Sequence, residues 1–287
     1  MLTYYDLSDL SIATVTGDDA QTFLQGQLSN DITHLSQDTP HQLSAYCNPK
    51  GRVLALFHVF RSDDTYFLAA PCAIMDKVVP RLKMFIMRSA VEIKPLENLN
   101  LLGLHAPDIT AGELAALEDT NTYIARHCND QHRFFVLSSE NINTELVSYN
   151  EWQRLDIEQN LPQINIQSYE SFIPQSINLD IVGGVNFKKG CFPGQEIIAR
   201  VKYRGKPKTR MIGVTLPSTK TVEVGTSIYI EGRDRSTGEV INVASDGDNT
   251  ILSISVPVTH VNEGALYLDE TRAISLQRLN SPYEITV

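Results

Sequence analysis

What constrains this chain most is a change of texture near Lys208. Upstream, helical and strand-like periods alternate. Downstream, only short strand candidates remain, at IGVTL, TSIYIEG, GEVINVA, ILSISVPV and ALYLDETRAISLQRL, separated by Gly, Asp, Asn and Ser turns. No helical period survives there, so apolar faces must be buried sheet against sheet, which implies a small antiparallel barrel or sandwich. Gly205 and Pro207 punctuate the chain just before it and divide 1–206 from 207–287.

The first part reads as α+β. Thr16 and Asp18 are placed to cap a helix carrying Ala20, Phe23, Leu24 and Leu28 at helical spacing, closed by the turn Ser29–Asp31. Residues 51–60 and 65–70 are apolar, β-branched and aromatic runs that look like paired strands. A helix is expected over 73–88, kinked or broken at Pro80. Strands follow at VEIK, LNLLGL, 122–127 and 133–138, with a short helix at 109–118 and a helical stretch at 141–160 broken near Asn150. Mixed and antiparallel sheets with helices on one face, in two interwoven subdomains, fit this order.

With 42% hydrophobic and 20% charged residues the chain is globular rather than disordered. MLTYYDLSDL lacks the basic and apolar regions of a signal peptide and no apolar run approaches a membrane span, so the expected compartment is the cytoplasm, with no membrane contact. Cys47, Cys72, Cys128 and Cys191 form no C-x-x-C and sit near no His cluster, so no metal site is expected. Net charge is −10, yet Lys188–Arg210 holds eight basic residues against the single acid Glu196. Such a strip on an acidic protein is either a solvated face or a site for a particular anion. Only Phe192 and Tyr203 interleave with it, which argues against direct nucleic-acid binding.

Chemistry concentrates in GGVNFKKGCFPGQEIIARVKYRGKPKTR, residues 183–210. Walker A, G-x-G-x-x-G, H-E-x-x-H and G-x-S-x-G are all absent. In KKGCFPGQE, Gly190 and Gly194 are expected to adopt backbone conformations closed to other residues around a rigid Pro193, with Cys191 at the tip. Gln195 and Glu196 then enter a helix whose free N–H groups suit an anion. Beside Lys188 and Lys189, Cys191 is either a thiol of depressed pKa or, as free cysteines commonly are, a small buried hydrophobe. Cys47, Cys72 and Cys128, in or beside apolar runs, read as the latter.

KGCFPGQE with its trailing ARVKYRGK resembles the K-G-C-[YF]-x-G-Q-E signature of the YgfZ family, folate-binding proteins related to the glycine-cleavage aminomethyltransferase. FLQGQLSND (23–31), YCNPKGRVLAL (46–56), MRSAVEI (87–93) and FIPQSINLD (172–180) agree in order, so the resemblance spans about 16–210. It implies a tetrahydrofolate-binding protein that supports iron–sulfur cluster assembly or repair and, through it, tRNA modification; its partners would be iron–sulfur proteins or their assembly machinery. The alternative is a folate-dependent aminomethyl- or methyltransferase. Cys191 as thiolate and Lys189 are then the candidate catalytic residues, and Glu158, Gly190, Gly194, Gln195, Glu196 and Arg200 the candidate cofactor-binding ones. Glu158 resembles a pterin-binding glutamate of the aminomethyltransferase relatives, a carboxylate able to accept two N–H bonds, although it reads equally as a solvated helix face. Three departures stand out: Phe192 replaces the usual Tyr, Asp156 stands where relatives carry Arg, and Ala55 and Leu56 occupy the region of the transferases' acid–base Asp. Leucine transfers no proton, so classical aminomethyl transfer has no visible agent.

Overall fold

A computed structural model describes residues 2–36, 39–96, 99–117, 122–140, 142–217 and 220–286. The chain divides into two compact units, one of 1–47, 54–149 and 184–193, the other of 48–53, 150–183 and 194–287.

The first unit contains β1 (Thr3–Asp6), β2 (Leu10–Thr16), α1 (Ala20–Gln27), β3 (His41–Cys47), β4 (Val53–Ser62, from Leu54 on), β5 (Thr65–Pro71), α2 (Cys72–Lys83), β6 (Glu92–Pro95), β7 (Asn100–His105), α3 (Ala111–Leu117), β8 (Thr122–Arg126) and β9 (Arg133–Ser138). One sheet runs β3-β4-β5-β2-β6 and the other β1-β7-β9-β8. The paired runs expected at 51–60 and 65–70 are β4 and β5, antiparallel with Phe60 opposite Phe67. β4 is buried almost throughout rather than on alternate residues, which is why it reads as a continuous apolar run. α2 packs on β2 and β5 through Ile74, Met75, Val78 and Leu82.

Three local expectations are corrected. α2 stops at Lys83, three residues after Pro80, whose missing N–H weakens the last turn; Phe85, 44% exposed, and the half-buried Ile86 lie beyond the helix, so their helical spacing does not mark a buried helix face. The 141–160 stretch is helical only in α4 (Tyr149–Glu158). Before it, Val147 exchanges hydrogen bonds with Tyr4 and Asp6, so pairing with β1 takes the backbone groups that a helix would use; Asn141 lies outside the described residues. Finally, no side chain caps α1: its N-cap is Asp19, whose carboxylate accepts the Ala90 N–H at 2.7 Å, and Thr16 ends β2.

The second unit contains most of α4, then α5 (Gln195–Arg204) and β10 (Thr209–Pro217), β11 (Ser227–Ile230), β12 (Gly238–Ser245), β13 (Asn249–Pro257), β14 (Leu266–Tyr267) and β15 (Ser275–Arg278). The six strands form a closed antiparallel barrel, β10-β13-β12-β11-β14-β15, in which β15 also pairs with β10. Val214, Ile228, Ile230, Leu252, Ile254 and Val256 fill its core. The fold is thus α+β, with helix-backed antiparallel sheets followed by a small antiparallel barrel. Among the described residues, no helix is long and apolar enough to cross a membrane.

Candidate functional site

The sequence candidates fall into two groups, because the chain leaves the first unit between Pro193 and Gly194. Lys189, Gly190 and Cys191 belong to the first unit. Glu158, Gly194, Gln195, Glu196 and Arg200 belong to the second.

In the first unit, the 184–192 segment is stitched to the turn after α1. Asn186 donates its N–H to Ser29 O at 3.0 Å, and the Ser29 hydroxyl donates to Gly184 O at 2.6 Å while accepting from Ala45 N–H at 2.8 Å. The Asn186 side-chain oxygen accepts the N–H groups of Lys188 and Lys189, tightening the loop into an Asx-type turn. The Lys189 ammonium, almost wholly buried, donates to Gln25 O and Leu28 O at 2.5 Å each and to Asn30 O at 3.1 Å, and lies 5.3 Å from the centre of the Phe192 ring. Burial pulls its pKa down to about 8, and the Asp31 carboxylate opposes that shift. Lys188, Gly190 and Cys191 remain exposed.

Cys191 is therefore presented rather than packed. Cys47 is its opposite, fully enclosed on β3 with its thiol pushed up to about 12 by burial. Cys72, partly exposed, accepts the Ser11 hydroxyl. Cys128 corrects the expectation of a buried residue: it is exposed in the turn after β8, its thiol on the Asn129 side chain. The expectation for Gly190 also fails, since its φ is not positive and a Cβ there would meet nothing within 4 Å. Gly194 meets its expectation, with φ +81° and a Cβ position 2.5 Å from Asn48 O and 2.6 Å from Gly51 Cα.

That contact, within the second unit, sets the start of α5. The 48–52 turn, held by the Asn48 side-chain oxygen accepting from Lys50 and Arg52 N–H, lies against the start of α5. The Gln175 side chain donates to Ile198 O at 2.7 Å, joining 172–180 to the same helix. Gln195 is half-buried, whereas Glu196 and Arg200 are exposed on α5. Glu158 ends α4 half-exposed, one carboxylate oxygen receiving Arg154 Nη1 at 2.5 Å; Asp156 beside it is buried. Ala55 and Leu56 lie inside β4, buried and apolar.

The basic strip is smaller than the sequence suggested. Lys189 and Arg210 are buried and engaged internally, Arg210 on both oxygens of Asp180, so they present no charge to a ligand at the surface. Sequence reasoning missed the carbonyls of Gln25, Leu28 and Asn30, because main-chain acceptors leave no mark in residue identity. The FLQGQLSND block was the available signal, and it is the stretch that supplies them. Among the described residues, no group of three or more His, Cys, Asp or Glu is arranged to hold a metal ion.

No family model matches the chain. It is 29% identical over 307 aligned positions to the tRNA-modifying protein YgfZ of Klebsiella pneumoniae (strain 342), covering 99% of this chain and 94% of that protein. The protein of the same description from Cronobacter sakazakii (strain ATCC BAA-894) is also 29% identical, over 99% and 94% of the two chains. The one from Escherichia coli (strain SMS-3-5 / SECEC) is 27% identical with the same coverage. Among solved structures, the glycine cleavage system aminomethyltransferase T from Bartonella henselae superposes with a TM-score of 0.76 at 17% identity, over 98% of this chain and 85% of that one. The chain therefore resembles the YgfZ proteins along nearly its whole length, and it has the aminomethyltransferase fold.

Proposed function

We propose that this protein binds tetrahydrofolate or a derivative of it and, in the cytosol, supports the assembly or repair of iron–sulfur clusters needed by enzymes that modify tRNA, with Cys191 as its working thiol. The observation that carries this reading is the exposure of Cys191 on a loop whose flanking residues Lys189 and Phe192 are buried. Cys47, by contrast, is turned inward. The curated relatives are named for tRNA modification, and the fold is shared with an aminomethyltransferase. One cysteine does not fill the ligand set of a cluster, which commonly takes four thiolates, so a partner protein must supply the rest.

The residues present fit a pterin. Glu158 keeps a half-exposed carboxylate with one oxygen engaged by Arg154, leaving acceptor capacity for an amino-pyrimidinone edge. When bound, a tetrahydrofolate carries one-carbon units at its N5–N10 edge. In this chain Ala55 and Leu56 offer no group to move a proton there, which weighs against aminomethyl transfer.

Tetrahydrofolate is expected to raise the melting temperature of the parent protein, and Glu158→Gln to weaken its binding by roughly 1.5–3 kcal/mol without unfolding the chain. Absence of any shift at millimolar ligand overturns the folate reading. Cys191→Ser is expected to fold and bind folate as the parent does, yet to lose support of iron–sulfur tRNA-modifying enzymes in cells that depend on this protein. Full support by the serine variant overturns the role of the thiol.

A further inference from the structure

Lys189 has three N–H donors, and the end of α1 with the turn after it offers three carbonyl oxygens. Two of these, Gln25 O and Leu28 O, lie at the C-terminal end of α1, where carbonyls lack intrahelical partners and the helix dipole favours a cation. The Ser29 N–H that could have closed on Gln25 O donates to Ala45 O instead. The ammonium thus caps a helix end 164 residues earlier in the chain.

The same loop is pinned at Asn186, on Ser29 O, and at Phe192, buried beneath the ammonium. Between these pins only Lys188, Gly190 and Cys191 face outward. We propose that Lys189 is the positioning residue of this loop: by donating to the carbonyls of Gln25, Leu28 and Asn30 it ties the loop to the turn after α1 and fixes where the Cys191 thiol stands. This deepens the reading of Cys191 as a working thiol and rests on it for biological meaning, because a thiol that meets a cluster or a partner's sulfur needs a fixed place.

The test places a nitroxide probe on Cys191 in full-length protein carrying Cys72→Ser and Cys128→Ser, and, as a control in the same unit, on Cys128 in protein carrying Cys72→Ser and Cys191→Ser. Lys189→Met, which keeps length but removes charge and donors, is expected to shorten the rotational correlation time at position 191 several-fold and leave the control site unchanged. Lys189→Arg, which restores a charged donor, is expected to recover most of the order. Equal order at 191 in parent and Lys189→Met overturns the proposal, as does equal loosening at both sites, which signals general destabilisation. Should Lys189→Met not fold, nitrogen-15 NMR of the parent decides. One lysine ammonium protected from solvent exchange, absent in Lys189→Arg, is expected; its absence from the parent overturns the clamp. Neither measurement uses folate or an iron–sulfur enzyme, so failure of the clamp and failure of the functional reading are separable.

Discussion

Lys189 and Arg210 stand at opposite ends of one basic stretch, and both are buried, but their surroundings differ. Arg210 has a bidentate carboxylate partner, Asp180, at 2.6 and 3.2 Å, with the carbonyls of Gln175 and Thr286 completing its set. Lys189 has carbonyls only, and its nearest compensating charge, Asp31, acts at a distance through space. A guanidinium does not deprotonate in a protein, whereas an ammonium yields readily to burial. Arg210 is therefore a permanent internal cation, whereas the charge of Lys189 is negotiable near pH 8. Elsewhere in the first unit burial removes the charge of three imidazoles: His41, His58 and His127 are packed against Phe135 and near the ion-paired Arg133, and burial holds all three well below the usual imidazole range, His58 at about 3. Their hydrogen bonds define the neutral tautomers. His41 Nδ1 accepts from Cys128 N–H, so its proton is on Nε2 and is donated to His58 Nδ1 at 3.1 Å.

The largest effect sharpens this contrast between charge kept and charge refused. Below an unfolded-state pKa near 6.5 the unfolded chain takes up protons that the folded histidines do not, so stability falls as pH drops, by up to about 1.4 kcal/mol per pH unit for each, or about 4 for the three. Urea unfolding between pH 7.5 and 5 measures it; a flat profile there breaks the account of neutral burial. Next, Arg210→Met leaves the Asp180 carboxylate buried without its partner and is expected to cost about 3–5 kcal/mol in the same assay. A loss under about 1 kcal/mol would mean that water reaches Asp180 freely. Third comes the pH response of Lys189. Its folded pKa lies below the unfolded value, so above pH 8 the unfolded state retains a proton that the folded state has released. Stability should rise between pH 8 and 9.5 by up to about 1.4 kcal/mol per unit, a rise that Lys189→Arg abolishes and Arg210 variants keep. The smallest effect is the control: exposed Lys188→Ala should change stability by less than about 0.5 kcal/mol. A larger loss would erase the distinction between anchors and surface charge.

How much of this was legible depended on the kind of signal. The barrel was readable because Gly, Asp, Asn and Ser residues separate short apolar runs and no helical period competes. β4 and β5 were readable because their side chains are apolar nearly throughout. The end of α2 was not, since Phe85 and Ile86 keep helical spacing after the backbone has stopped being helical, and spacing carries no information on where Pro80 takes effect. Nor was the irregular path before α4, which depends on pairing between Val147 and Tyr4, residues far apart in sequence. At the candidate site, Gly194 was correctly singled out for its backbone, while Gly190 was not distinguished from it: both are glycines in one motif, and only tertiary crowding by Asn48 and Gly51 separates them. Lys189 was noticed for the charge it would lend a neighbour, whereas the structure turns that charge inward onto the helix end.

Closure of the barrel also bears on how the folded molecule meets other copies of itself. β10 and β15 pair with each other at Val214–Arg278 and Thr215–Gln277, which closes the sheet on itself and leaves no strand of it as a free end. The sheets of the first unit do end in edges, and most of these are blunted: β1 is covered by Val147, β3 by Leu28 and Ser29, and β6 is four residues long and carries Lys94 and Pro95. Among the described residues β8, Thr122–Arg126, is the edge with least cover. Strand addition to the folded first unit is therefore easiest there.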